Sequence, residues 1–100
     1  MPAATLAQQG EGRYLVSGPL SFDTVTDLLL QSRSLFAGAS SIEVDLSGVT
    51  HADSAGLSLL IEWLRQAKLH GSQLQYRSLP AQLQALSSVS DLTGLLNNSA

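Results

Sequence analysis

The sequence predicts one small α/β domain, a mixed four-stranded sheet packed with helices in the order β-β-α-β-α-β-α. Three observations lead there. A length of 100 residues with 44% apolar and 13% charged content suits one domain with its own core. Short extended runs alternate with longer stretches of helical spacing. Helices placed between strands favour parallel pairing through right-handed crossovers, and an opening hairpin makes the sheet mixed.

The elements follow in order. Residues 5–9 and 13–17 are extended runs separated by Gly10-Glu11-Gly12, which reads as a hairpin with a glycine-rich turn. Gly18-Pro19 is expected to close the second strand. Over residues 22–36, Phe22, Val25, Leu28, Leu29, Leu35 and Phe36 recur at helical spacing. Ser21 or Asp23 is placed to cap that helix and Gly38 to end it. Residues 41–46 alternate, with Ile42, Val44 and Leu46 on one face, and Ser47-Gly48 is expected to turn the chain. A second helix is predicted from about residue 55 to 69, stopping at Gly71. Residues 73–78 read as a fourth strand, with Leu74 and Tyr76 on one face. Pro80 suits the first turn of a short helix carrying Leu83, Leu86 and Val89. Residues 91–100 add a partial turn with Leu92, Leu95 and Leu96.

Composition removes several classes of function. The apolar content excludes a disordered tail, and the absence of cysteine excludes disulfide scaffolds, thiol chemistry and cysteine metal sites. Five basic against eight acidic residues, with no basic block, argue against nucleic acid and anionic membrane surfaces as partners. The most apolar stretch, residues 57–64, is broken by Ser58 and Glu62 and falls short of the roughly 20 residues a membrane span needs. Residues 1–11 lack a positive charge followed by an apolar run, so they do not read as a signal peptide. A cytoplasmic protein is the expectation. Domains this small have little room for a deep pocket, which favours an interaction module over an enzyme.

Residues 44–67, VDLSGVTHADSAGLSLLIEWLRQA, are the most informative stretch. A buried strand leads through a short connection to Asp53-Ser54-Ala55-Gly56-Leu57 at the start of an amphipathic helix. At about 100° per residue, Leu57, Leu60, Ile61, Leu64 and Lys68 share one side. Ser54, Ser58, Glu62 and Arg65 share the opposite side with Leu69 nearby, and Leu59 and Trp63 lie on the flank. Either Asp53 or Ser54 can cap the helix, and Gly56 permits close backbone approach in its first turn. Ser58 and Arg65 can hydrogen-bond a partner, while Leu59, Trp63 and Leu69 offer apolar area. Partial core burial is the favoured alternative for Trp63, and Glu62 with Arg65 can form a solvated pair one helical turn apart.

Other chemistries find little support. His51, Asp53 and Ser54 contain the residue types of a hydrolytic triad, but three residues crowded into one turn seldom place an imidazole between hydroxyl and carboxylate. His51 and His70 are the only histidines and are distant in sequence, so no metal-ligand set is assigned. Neither G-x-x-x-x-G-K-[ST] nor a strand-to-helix G-x-G-x-x-G is present, so no nucleotide or other cofactor is assigned.

The D-L-S-x-V…D-S-x-G-L pattern followed by L-L-I-x-x-L resembles the signature of STAS domains, the fold of bacterial anti-anti-sigma factors. The order of elements matches from about residue 5 to 96. In that family the hydroxyl residue directly after the Asp, here Ser54, is the regulatory position. Within it, the size and the V-D-L-S-G-V, D-S-A-G-L and L-L-I-E-W-L-R-Q-A-K segments look most like the MlaB branch, with weaker similarity at both ends. MlaB proteins are cytoplasmic accessory subunits of phospholipid ABC transporters that maintain outer-membrane lipid asymmetry in Gram-negative bacteria. This resemblance implies a non-catalytic subunit docked on an MlaF-like ATPase and held at the inner membrane through it. ATP belongs to the partner, and the chain itself does not insert in the membrane. The expected contact and regulatory residues are Ser54, with Asp53 and Gly56 shaping its presentation, then Ser58, Glu62, Trp63 and Arg65. MlaB proteins commonly carry Thr where this chain has Ser54, whereas phosphorylated anti-anti-sigma factors use Ser. The alternative is therefore an anti-anti-sigma factor controlled by an anti-sigma kinase that phosphorylates Ser54.

Overall fold

The strand-and-helix alternation is realised as β1 (Thr5–Gly10), β2 (Arg13–Leu20), α1 (Val25–Leu35), β3 (Ser41–Ala52), α2 (Ser54–Leu69) and β4 (Gln73–Arg77). The computed structural model describes residues 3–84. The sheet order is β1-β2-β3-β4, with β1 antiparallel to β2 and the two remaining pairs parallel. The predicted mixed four-stranded sheet is therefore observed. Residues 81–84 open a further helical segment in which Leu83 is fully buried. Leu86, Val89 and the predicted partial turn over 91–100 lie outside the described residues.

Alternation along the strands decides what faces the helices. Tyr14, Val16, Ile42, Val44, Leu46 and Leu74 are buried, whereas Glu43 and Asp45 between them remain partly exposed. The helices contribute Leu28 from α1 and Leu57, Leu59, Leu60, Trp63 and Ala67 from α2. Polar tips tie the two layers together. The Tyr14 hydroxyl donates to the Leu35 carbonyl at 2.7 Å, and the Tyr76 hydroxyl donates to the Leu60 carbonyl at 2.6 Å. The indole N–H of Trp63 donates to Ser32 Oγ at 2.9 Å, and that hydroxyl donates to the Leu29 carbonyl at 2.7 Å. Phe36 stands edge-on to both Tyr14 and Trp63, with ring centroids 4.9 and 5.5 Å away.

Four expectations need correction. The second strand does not close at Gly18-Pro19 but runs on to Leu20, because a register shift between Gly18 and Pro19 lets β2 keep pairing with His51 and Ala52. Nor does Ser47-Gly48 turn the chain. There Asp45 Oδ1 accepts the Ser47 N–H at 2.9 Å, and the β2–β3 register shifts between Leu15 and Ser17. A Cβ on Gly48 would lie 2.8 Å from the Val16 carbonyl oxygen, so glycine lets the irregular strand stay against its neighbour. The turn-like dipeptide is used as a bulge.

The first helix starts at Val25 rather than 22, so Phe22 falls in the preceding loop and is 82% exposed. Thr24, rather than Ser21 or Asp23, occupies the cap position. Its hydroxyl donates to the Pro19 carbonyl at 2.7 Å and accepts the Ser21 N–H at 3.0 Å, which holds residues 19–24 in a tight loop. Finally, the buried stripe of α2 coincides only in part with the side that carries Leu57, Leu60, Ile61, Leu64 and Lys68. Gly56, Leu57, Leu59, Leu60, Trp63 and Ala67 are buried, while Ile61 and Leu64 are only partly covered and Lys68 is exposed. Small residues at both ends of the stripe let the helix approach the sheet, and the largest side chain then fills the middle.

Trp63→Ala should therefore lower stability by about 3–5 kcal/mol. Ser32→Ala, which strands the buried indole N–H, should cost about 1–3 kcal/mol. Urea denaturation followed by circular dichroism measures both.

Candidate functional site

The junction between β3 and α2 is built from Asp53. Its backbone is extended, with φ −121° and ψ −168°, and its Oδ1 accepts the N–H groups of Ala55 at 2.9 Å and Gly56 at 3.3 Å. This settles the capping alternatives in favour of Asp53. The N–H of the same residue donates to the Leu20 carbonyl at 3.1 Å, fastening the helix start to the end of β2. Gly56 is buried where a Cβ would meet the Leu20 carbonyl oxygen at 2.7 Å and Leu20 Cβ at 2.8 Å. Close approach of α2 to β2 thus demands glycine at this position.

Ser54 is the first residue of α2 and is exposed. With the cap supplied by its neighbour, its hydroxyl makes no hydrogen bond among the described residues. Ser58 stands one turn further along, also exposed, and its hydroxyl donates to the Ser54 carbonyl at 3.1 Å. Arg65 continues this exposed side and holds Glu62 through contacts of 2.9 and 2.8 Å, while Gln66 donates to Glu62 at 2.7 Å. These bonds, Arg65 first and Gln66 second, hold the Glu62 carboxyl down at about 2. The pair is therefore charged throughout the ordinary pH range and is lost only as pH falls towards that value.

Of the residues singled out in the sequence, Ser54, Ser58 and Arg65 share the exposed side, Glu62 is partly exposed beside them, and Asp53 and Gly56 support them from behind. Trp63 does not belong to this surface: it is 2% exposed and committed to Ser32, and Leu59 is buried as well. Leu69 remains exposed at the far end of the helix. Phe22, expected within the first helix from its spacing, stands exposed in the loop before that helix. The available signal was Thr24, a capping residue type two positions later.

No hydrogen bond links the side chains of His51, Asp53 and Ser54 among the described residues, and the bonds Asp53 Oδ1 accepts come from backbone amides. His51 lies in β3 just before the start of α2 and His70 caps the far end of that 16-residue helix, which is about 24 Å long. Among the described residues no group of three His, Asp or Glu side chains could hold a metal ion. None of their helices is long and apolar enough to cross a membrane. A groove of about 840 Å³ lies between the C-terminal halves of α1 and α2, beside Arg33, Phe36, Trp63 and His70.

The family model described as "Mlab, STAS domain" matches residues 4–97. The chain belongs to the STAS-domain family. STAS domains are generally regulatory rather than catalytic modules. No curated protein sequence matches significantly. Among solved structures, the chain is similar to the anti-sigma factor antagonist SpoIIAA in its unphosphorylated form, with a TM-score of 0.65 and 16% identity over 89% of this chain and 82% of that one. It is also similar to part of SLC26A9, with a TM-score of 0.59 and 16% identity over 99% of this chain. It spans only 21% of the SLC26A9 chain. At these identities both show a shared STAS fold.

Asp53→Ala should destabilise the domain by about 0.5–2 kcal/mol through loss of the cap, whereas Ser54→Ala should stay within about 0.5 kcal/mol. Chemical denaturation distinguishes them. In a carbon-13 NMR titration Glu62 should protonate at about 2, and Arg65→Ala should return it towards the ordinary carboxylate range.

Proposed function

We propose that this domain is a non-catalytic STAS subunit that docks on the ATPase subunit, MlaF-like, of a phospholipid ABC transporter maintaining outer-membrane lipid asymmetry. The observation that carries the reading is Ser54: an exposed hydroxyl at the start of α2, relieved of capping by Asp53. The match to the family model described as "Mlab, STAS domain" supports the choice of partner. The lack of a phosphate-binding sequence motif fits a division of labour in which the partner binds ATP. On this reading the domain is cytoplasmic and peripheral to the inner membrane through its partner.

A second reading follows from the same hydroxyl. Ser54 phosphorylated by an anti-sigma kinase would bring about −1.5 to −2 charge to the start of α2 beside Asp53. Its likeness to an anti-sigma factor antagonist favours keeping this reading. Added charge would be accepted by the helix terminus yet oppose a partner needing a flush fit.

Ser54→Arg or Ser54→Glu should leave the circular dichroism spectrum unchanged and weaken co-purification with the transporter ATPase of the same genome by at least about tenfold. Undiminished ATPase binding by both variants contradicts the docking reading. Mass spectrometry of the protein from its native cells separates the two readings, since a kinase partner with phosphorylated Ser54 supports the second.

A further inference from the structure

We infer that the docking surface extends from Ser54 onto the β2–α1 loop, with Phe22 as its apolar anchor, and that it fits a protein face bearing an apolar socket rimmed by Lys or Arg. This inference rests on the docking reading above and names the chemistry of its partner.

Phe22 is 82% exposed, although removing an aromatic side chain of this size from water is favourable. Its location gives that exposure meaning. Leu20 and Ala52 are paired at the ends of β2 and β3, and Phe22 and Ser54 each follow two residues later. The bond from the Asp53 N–H to the Leu20 carbonyl ties the two connections together at one end of the sheet. The loop carrying Phe22 is itself braced. Thr24 bonds to Pro19 and Ser21, and the Thr24 and Val25 N–H groups both donate to the Ser21 carbonyl, at 3.0 and 3.1 Å. A side chain on a braced loop loses less freedom when a partner covers it.

Next to Ser54 along α2, a shallow groove of about 310 Å³ lies between the N-terminal halves of α1 and α2, lined by Val25, Thr26, Leu29, Ala55, Ser58 and Glu62 with the buried Leu59. Charge selects the occupant. Residues 20–30 and 53–61 contain Asp23, Asp27 and Asp53 but no Lys or Arg. Asp53 is spent on the helix amides, and Gln31 donates to Asp27 at 2.9 Å without neutralising it. The first basic residues along the helices are Arg33, in the last turn of α1, and Arg65, already paired with Glu62. An apolar anchor beside uncompensated acids calls for a basic rim on the partner. A second copy of this chain is disfavoured, because a self-complementary two-fold contact would set Asp23 and Asp27 against the same acidic patch.

The test is calorimetric titration of the purified domain against the purified transporter ATPase, at about 50 and about 300 mM salt. Wild type, Phe22→Ser, Asp23→Lys and Ser54→Arg are compared, with circular dichroism as the folding control. Phe22→Ser should weaken binding about tenfold at both salt concentrations. Asp23→Lys should weaken it severalfold at low salt and less at high salt. If Ser54→Arg abolishes binding while Phe22→Ser and Asp23→Lys bind like wild type, this inference is overturned and the docking reading stands. Failure of the wild-type domain to bind overturns both. A Phe22→Ser effect confined to self-association on size-exclusion chromatography makes the occupant a second copy and also overturns the inference.

Discussion

The carboxylate of Asp53 is the constraint on which the site depends. One of its oxygens satisfies two amides at the start of α2, while its own N–H is fixed to the end of β2. Three elements thereby meet within a few residues: the second strand, the third strand and the helix that follows it. Gly56 completes the junction by letting helix backbone rest on Leu20. Such a joint positions the residue after Asp53 without using that residue's side chain. Ser54 is consequently held by backbone geometry alone, and its hydroxyl stays available at a terminus whose dipole and free amides accommodate negative charge.

Behind this joint, the helix is kept in register by interactions that never reach the exposed side. Trp63 fills the space between the helices and the sheet and is oriented by Ser32 on α1, and Tyr76 bonds to the Leu60 carbonyl from the sheet. Changes on the exposed side therefore have little route into the core. This separation suits a binding module, which needs a surface that can be altered or modified while the fold persists. A STAS domain built this way has one face devoted to cohesion and another left exposed.

Much of the architecture was legible because Tyr14 and Val16 in β2, and Ile42, Val44 and Leu46 in β3, alternate with more exposed neighbours and α2 has an unbroken helical pattern between Asp53 and Gly71. The misreadings share a physical origin. Gly18-Pro19 and Ser47-Gly48 have the chemistry of turns, but both fall where adjacent parallel strands shift register, and sheet pairing carried the chain onward. Phe22 matched the helical spacing of α1, yet the Thr24 hydroxyl made a tight loop ahead of that helix and left the ring outside. Trp63 looked like a flank residue because Gly56 and Ala67 were not counted as part of the buried stripe they define. At the site itself, sequence located Ser54 through its motif but could not choose between two capping residues. That choice depends on the extended backbone of Asp53, which tertiary contacts impose.

The central claim is that the hydroxyl freed by Asp53 lies under a protein partner. Hydrogen–deuterium exchange on the domain, alone and in complex with the transporter ATPase, tests it most directly. The account predicts added protection on binding in residues 54–62 and 21–27, above the protection the cap already confers in the free domain. Complex formation that leaves both segments unchanged and protects the opposite face of the sheet would contradict it.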